Sequence, residues 1–294
     1  MANFLTNVFY KKRTDFNAQT KERVLPFPDG IIEETDLIYS QNQPESHRFD
    51  IFTPQKTKDE PLPVIINVHG GGMIMGNKEF NRYFCAQMCK MNFLIFNIEY
   101  RLVPDIQVYD QFADITAAMN HIETLIPQYH GDKNHVYIVA DSGGAYLTTY
   151  TVAMQKCSAL AKAANIVPST LKIQALGLIS GMFYTTKLDE IGLTMPKYLY
   201  GKKYKKSAFA PFINPEHPNI VTSLPPCYLI TSEHDNLKHY TLNFEKALTR
   251  HHVTHELKYY PKNKKLTHAF SVFEPYMPES IDAISSMLEF LRKY

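Results

Sequence analysis

Two short turns rich in small residues carry the groups of this chain that could perform covalent catalysis. The first reads HGGG at positions 69–72 and the second reads DSGG at positions 141–144, and each follows a strongly apolar run. Consecutive glycines can aim backbone N–H groups at an oxyanion, and a serine on a sharp turn presents its hydroxyl. In this order, the two turns indicate acyl transfer through a serine nucleophile.

The serine turn has the residue sizes that a tight strand-turn-helix connection requires. Ser142 is flanked by Ala140, Gly143, Gly144 and Ala145, and larger side chains at those positions would collide with neighbouring backbone. The pattern is a Gly-x-Ser-x-Gly elbow with alanine in place of the first glycine. The alternative is an ordinary Ser-Gly-Gly loop.

The glycine run at 69–72 has a second interpretation, a phosphate-binding loop. Such loops read Gly-x-x-x-x-Gly-Lys-Ser/Thr or Gly-x-Gly-x-x-Gly, and neither pattern occurs at this point of the chain. We therefore predict an oxyanion hole. His69 is expected to be structural and to hold the loop through hydrogen bonds.

A serine hydroxyl becomes a good nucleophile only beside a base that a carboxylate orients. In an α/β sheet of this kind the acid and then the base follow the serine, each just after a strand. Asp235 follows the apolar run 227–231, and His268 is the histidine, among twelve, that follows the last β-like run. Asp235 and His268 are therefore the predicted partners, with Glu233 as a rival acid that lies nearer the strand.

β-like and helix-like stretches alternate along the chain, which is typical of a mostly parallel sheet covered by helices. About eight strands are predicted, at 31–39, 47–53, 63–68, 93–100, 136–140, 173–180, 227–231 and 255–260. Helices are predicted at 79–91, 106–129, 144–157, 237–252 and 278–292. Residues 1–28 and 183–224 do not follow this alternation of strands and helices. We interpret them as a small helical cap over the carboxyl edge of the sheet, within a single domain of residues 1–294.

Composition excludes several classes of protein. The chain has 31 Lys+Arg against 29 Asp+Glu, a balance that gives no reason to expect binding to nucleic acid or to a membrane surface. No run of 18 apolar residues predicts a membrane span, and the first residues lack the apolar core of a signal peptide. The four cysteines are scattered without a Cys-x-x-Cys pair, which favours a reducing cytoplasm and neither disulfides nor a metal site.

The motifs together resemble those of the α/β-hydrolase fold, and within it the hormone-sensitive-lipase-like (bacterial family IV) esterases and lipases. The resemblance runs from about residue 63 to the C-terminus. The family patterns H-G-G-G, Y-R-L-A-P-E, G-D-S-A-G-G, D-P-L-x-D and H-G-F are matched, in that order, at 69–72, 100–105, 140–145, 235–239 and 268–270.

The resemblance implies a role for each matching position. Ser142 would attack a carbonyl carbon, His268 would accept and return the proton, and Asp235 would orient the imidazole. The N–H groups that would bind the oxyanion are those of Gly71, Gly72 and Gly143. His239 stands where the family has a second aspartate, so we expect a supporting contact of the acid to be absent.

The expected activity is hydrolysis of short-chain acyl esters, among them acetyl esters, through an acyl-enzyme without metal or organic cofactor. The expected partner is a small-molecule ester, and a homodimer is compatible with an exposed edge strand or with the last helix. Two alternatives stay open: an amidase or peptidase of the same fold, and a non-catalytic binding protein on this scaffold. A cysteine-dependent hydrolase is disfavoured because position 142 is serine.

Overall fold

The computed structural model describes residues 2–56 and 60–294. One eight-stranded sheet runs in the order β1-β2-β4-β3-β5-β6-β7-β8. The strands are β1 Ile31–Ile38, β2 Arg48–Pro54, β3 Leu62–Val68, β4 Leu94–Ile98, β5 Gly131–Asp141, β6 Ala175–Ile179, β7 Cys227–Ser232 and β8 His255–Tyr260. β1 and β2 form an antiparallel hairpin at one edge, and β3 to β8 run parallel. The prediction of a mostly parallel sheet with eight strands is thus confirmed.

The helices cover both faces of this sheet and connect the parallel strands. Their bounds are α1 Ala2–Glu22, α2 Arg82–Lys90, α3 Val108–Leu125, α4 Ser142–Met154, α5 Ser158–Ala164, α6 Glu190–Thr194, α7 Pro196–Tyr200, α8 Pro218–Val221, α9 Lys238–Arg250, α10 Phe270–Phe273 and α11 Pro278–Leu291. Short 3₁₀ turns occupy Lys78–Asn81, Ile126–Tyr129, Tyr204–Lys206 and Ala210–Phe212. No helix in the described part of the chain has the length and apolarity needed to cross a membrane.

Most predicted boundaries lie within two residues of the observed ones, and two of the larger differences have an identifiable cause. α3 ends at Leu125, not at 129, because Pro127 has no amide hydrogen to continue the helical ladder, and the chain tightens into a 3₁₀ turn. β5 begins at Gly131, five residues early, because Leu62 pairs with it across an irregular register. α4 starts at Ser142 itself, two residues before the prediction.

Each central strand is buried on both faces, since the sheet separates two apolar layers. Along β3, Val64 and Ile66 point into one layer and Ile65 into the other; along β5, Ile138 and Val139 divide in the same way. This alternation follows from the two-residue period of a strand. Burial on both faces fixes the register of the sheet, because a slip by one residue would exchange the two sets of side chains.

The register brings the two glycine-containing turns together. Val68, the last residue of β3, pairs with Ala140 of β5 on one side and with Ile98 of β4 on the other. The turns at 69–72 and 141–144 therefore leave neighbouring parallel strands at the same level. Because the carboxyl ends of parallel strands share one edge, this edge is where a ligand can meet both turns.

Candidate active site

Ser142 occupies a strained turn between β5 and α4. Its φ is +48°, in the left-handed region that non-glycine residues rarely adopt. The turn is tight because a Cβ atom on Gly144 would lie 2.3 Å from the carbonyl oxygen of Val68. Strain of this kind is concentrated at functional sites, and here it holds the serine at the edge of the sheet.

His268 lies between Ser142 and Asp235. The ring nitrogen Nε2 is 3.0 Å from Ser142 Oγ, and Nδ1 is 2.7 Å from Asp235 Oδ1. The imidazole is one-quarter exposed, whereas the Asp235 side chain is fully buried. The serine and the carboxylate therefore contact opposite nitrogens of one ring, the arrangement in which an imidazole can take a proton from a hydroxyl.

Asp235 is held as a carboxylate by three contacts. Besides His268, the amide of Leu237 donates to Oδ1 at 2.8 Å and the hydroxyl of Thr231 donates to Oδ2 at 2.8 Å. Burial alone would raise the pKa of Asp235, but the hydrogen bond and charge of His268, with the other two donors, hold that pKa below its usual value. The departure at His239 thus does not leave the acid without support.

Glu233, the rival acid, is directed elsewhere. Its carboxylate accepts hydrogen bonds from Lys238 at 2.9 Å and from the hydroxyl of Tyr259. Glu233 lies two positions before Asp235, and its carboxylate contacts Lys238 and Tyr259 rather than the imidazole. The structure brings Asp235, and not Glu233, to His268.

The glycine turn is tied to the serine turn by Asp141. Its Oδ1 accepts the amide of Gly70 at 3.0 Å and the side-chain amide of Asn81 at 2.9 Å. The backbones of Gly143 and Gly72 are then so close that a Cβ atom on Gly143 would lie 3.0 Å from the nitrogen of Gly72. Gly71 has φ +100°, a conformation suited to glycine that turns the loop towards the serine.

His69 supports this loop from below and is buried. Its Nδ1 is 2.8 Å from the carbonyl oxygen of Gly70, its Nε2 is 3.1 Å from Glu99 Oε1, and its ring stacks on Tyr100 at 4.2 Å. Burial would lower the pKa of His69, but the charge and hydrogen bond of Glu99 outweigh it and raise that pKa. Both ring nitrogens face acceptors, which agrees with the prediction that His69 holds the loop rather than moving protons.

Sequence reasoning missed several residues that position the site. Glu99 joins His69 to the amide of Lys78, which donates to Oε2 at 3.0 Å. Ser180 Oγ accepts the amide of Ala269 at 3.0 Å and so anchors the loop that carries His268. Asp141 lies in the motif of the serine turn, but the sequence indicated no role for its side chain. No spacing signal could have found these residues, because each acts on a partner at least twenty positions away.

A cavity of about 310 Å³ lies above Ser142 and His268. α1 and α6 supply much of its wall, and the remaining lining combines apolar side chains with polar ones, among them those of the two glycine-containing turns. The lining residues from these two helices are Leu5, Val8, Phe9, Lys12, Phe16, Glu190, Ile191 and Thr194. Lys12 and Glu190 face each other at 3.7 Å across the two helices. The described residues contain no cluster of three His, Cys, Asp or Glu side chains that could hold a metal ion.

Comparison with known proteins gives two kinds of relative, curated proteins that are similar in sequence and solved structures that are similar in fold. A probable isoprenylcysteine alpha-carbonyl methylesterase of Arabidopsis thaliana is 26% identical over 208 residues, which cover 68% of this chain and 43% of that protein. The chain spans about half the length of the curated relatives it matches.

Solved structures show the same fold over the whole chain. Esterase B of Lactobacillus rhamnosis, inhibited by a C4-C4 tributyrin phosphonate, superposes with a TM-score of 0.92 at 23% identity, covering 100% of this chain and 96% of that one. A hyperthermophilic esterase of the archaeon Pyrobaculum calidifontis superposes with a TM-score of 0.70 at 19% identity, covering 98% and 93%.

The family model described as alpha/beta hydrolase fold matches residues 65–271. This span exceeds two thirds of the chain and contains both glycine-containing turns, Asp235 and His268. The match confirms the resemblance that the ordered motifs indicated. The chain belongs to the alpha/beta hydrolase fold family.

Proposed function

We propose that this protein is a carboxylic-ester hydrolase that uses Ser142 as its nucleophile. The observation that carries the proposal is the chain of contacts from Ser142 Oγ to His268 Nε2 at 3.0 Å and from His268 Nδ1 to Asp235 at 2.7 Å, at the floor of an apolar cavity. An aligned serine, imidazole and carboxylate beside backbone donors form the constellation of acyl transfer.

In the first half-reaction, Ser142 Oγ would attack the ester carbonyl carbon while its proton passes to His268 Nε2. The negative Asp235 would stabilise the imidazolium through the Nδ1–H bond. The carbonyl oxygen, now an oxyanion, would accept hydrogen bonds from the amides of Gly71, Gly72 and Gly143. When the tetrahedral intermediate collapses, the alcohol leaves with the proton from His268 and an acyl-Ser142 ester remains.

In the second half-reaction, a water molecule would replace the alcohol. His268 would take one proton from the water as it attacks the acyl carbon, and the same amides would bind the second oxyanion. Collapse would release the carboxylic acid and return the proton to Ser142 Oγ. The cycle consumes one ester and one water, and it requires no redox step.

The cavity supports a short acyl ester as substrate. Its volume of about 310 Å³ lies at the lower end of the ~300–1,000 Å³ typical of ligand sites. We propose that residues 1–28 and 183–224 act as the cap of this cavity, since α1 and α6 line it. The names of the relatives, a methylesterase and esterases, agree with an ester as the bond that is cleaved.

Two further expectations remain proposals. Cys85, Cys89, Cys157 and Cys227 are free and buried, which supports action in a reducing compartment such as the cytoplasm. A homodimer stays a prediction.

The test is hydrolysis of p-nitrophenyl esters from acetate to palmitate by wild type and by Ser142→Ala. We expect turnover of acetate and butyrate that disappears in the variant, while Ser285→Ala, on α11 outside the cavity, retains it. Turnover that persists in folded Ser142→Ala would rule out this nucleophile. Cleavage of p-nitroanilides in preference to esters would identify an amidase, and binding without turnover would indicate the non-catalytic alternative.

A further inference from the structure

Two leucines, one just before α6 and one within it, are exposed to an extent that the fold does not require. Leu188 is 97% exposed and Leu193 is 76% exposed, although the chain buries most of its large apolar side chains. Exposed apolar patches that a polar surface surrounds are typical of interaction sites. Leu188 and Leu193 both line an open surface groove of about 510 Å³. The lining of this groove also includes Tyr204, Pro211 and Ile213.

Lysines line this groove and are frequent in the chain segment that forms it. Lys187 and Lys205 belong to its lining, each with its ammonium over a tyrosine ring. The segment 187–206 contains six lysines against two acidic residues, and all six are exposed. Across residues 2–56 and 60–294, none of the six forms an ion pair, and the two acidic residues are engaged with other partners. The groove therefore combines apolar side chains with unneutralised positive charge.

α6 separates this groove from the cavity above Ser142. Ile191 and Thr194 line the cavity, whereas Gly192 and Leu193 line the groove on the other side of the same short helix. Glu190 lines the cavity and its side chain is 84% exposed. The cavity thus opens to solvent close to the groove.

We propose that this face, defined by Leu188, Leu193, Lys187 and Lys205 and here called the docking face, binds the protein to an anionic lipid surface. Leucine side chains would enter the boundary between headgroups and acyl chains, and the lysines would contact phosphate and carboxylate groups. Docking would place the opening of the cavity at that surface. The balance of charge over the whole chain does not oppose this, because the positive charge is local.

The charge on this face favours lipid over a protein surface or a second copy of the chain. A second copy placed face to face would bring its Lys187 and Lys205 against the same two lysines of the first, and that repulsion opposes self-association through this face. An anionic bilayer supplies negative charge over its whole area, so it matches lysines spread over twenty residues without requiring exact geometry.

The test is flotation of the purified protein with vesicles of phosphatidylcholine alone or of phosphatidylcholine with phosphatidylserine. We expect binding only to the anionic vesicles, and weaker binding as salt is raised. Lys187→Gln/Lys205→Gln should weaken binding about 25-fold, because each lysine near such a surface contributes a factor of about five. Leu188→Ser/Leu193→Ser should weaken it by about tenfold or more.

Matched variants elsewhere on the surface separate this proposal from general effects. Val167, which is 88% exposed, and Lys133 are distant in sequence from the docking face, so Val167→Ser and Lys133→Gln should bind vesicles as wild type does. Hydrolysis of a soluble p-nitrophenyl ester by the docking variants is measured in parallel, so that a general loss of folding is separated from a loss of docking. Ser142→Ala should still bind vesicles, so failure of the proposed catalysis and failure of docking are distinguishable.

Three results would overturn the proposal. The first is equal binding to neutral and anionic vesicles, and the second is wild-type binding by both double variants. The third is an absence of binding to anionic vesicles. If that absence came with a concentration-dependent dimer that Leu188→Ser/Leu193→Ser abolishes, the face would be a self-association surface.

Discussion

Gly143→Ala tests the oxyanion hole by a displacement that the structure defines. The added Cβ would lie 2.9 Å from the nitrogen of Met73 and 3.0 Å from both the nitrogen and the Cα of Gly72. Ordinary contact begins at 3.4 Å, so the two turns must separate by 0.4–0.5 Å (3.4 less 3.0 and 2.9). The atoms in the way belong to the backbone, and no side chain can rotate aside to relieve the contact.

The cost of this displacement follows from the geometry of the donors. Removal of one oxyanion donor reduces kcat by about 10²–10³, and a misplacement of about 1 Å at a reacting centre can cost about 10². We expect kcat of Gly143→Ala to fall about 10²-fold with little change in KM, since the ester ground state uses these donors less than the oxyanion does. Overpacking of this kind lowers the free energy of unfolding by about 1–3 kcal/mol.

The assay is steady-state hydrolysis of p-nitrophenyl butyrate, with urea unfolding of each variant. Gly72→Ala is the control, because its Cβ would meet only Met182 Sδ at 3.9 Å, although φ is +61°. It should lose about 1–2 kcal/mol of stability to backbone strain and much less activity than Gly143→Ala. If folded Gly143→Ala retained kcat within about threefold of wild type, less than ~0.7 kcal/mol in activation free energy, the proposed oxyanion site would be wrong.

Three further predictions concern the groups that support the site. Asp235→Asn should keep the acceptor for His268 but lose the charge, and kcat should fall about 10⁴-fold; a loss below about tenfold would contradict the role of Asp235. Because the folded pKa of Asp235 is lowered, its contribution to stability is present above the unfolded value of about 4 and is lost as pH falls through the folded value. Urea unfolding should therefore show wild type and Asp235→Asn converging in strong acid, and a constant difference would refute this. Glu99→Gln should lower the raised pKa of His69 and loosen the glycine turn. As a result, kcat should fall about tenfold with KM unchanged. An NMR titration checks the pKa of His69, and steady-state kinetics check kcat and KM.

Much of the fold could be predicted from local sequence patterns, above all from apolar and β-branched runs. The run at 63–68 is β-branched and apolar, and the structure places β3 at Leu62–Val68; the other seven predicted strands are also present. Burial on both faces of a parallel sheet produces such continuous apolar runs, so the signal is strong. Boundaries were less well predicted where a long-range pairing extended an element, as Leu62 does for β5.

Ser142, Asp235 and His268 could be proposed from order alone, because chain order and strand position constrain which residues reach one edge of the sheet. The choice between Asp235 and Glu233 was less secure from the sequence. The structure separates them through hydrogen bonds, because His268, Thr231 and Leu237 all contact Asp235. The contacts of Thr231 and Leu237 are local, whereas His268 lies 33 positions away and meets Asp235 only in the folded chain.

By itself, the sequence determined the alternation of elements and the residue types at each strand end, since these depend on short-range periodicity and on the backbone freedom of glycine. Only the tertiary structure decided which groups meet. Asp141 contacts Gly70 across 71 positions, Ser142 contacts His268 across 126, and α6 divides a cavity from a cationic groove. Such contacts depend on how eight strands align and pack, and that alignment is a property of the whole chain rather than of any segment.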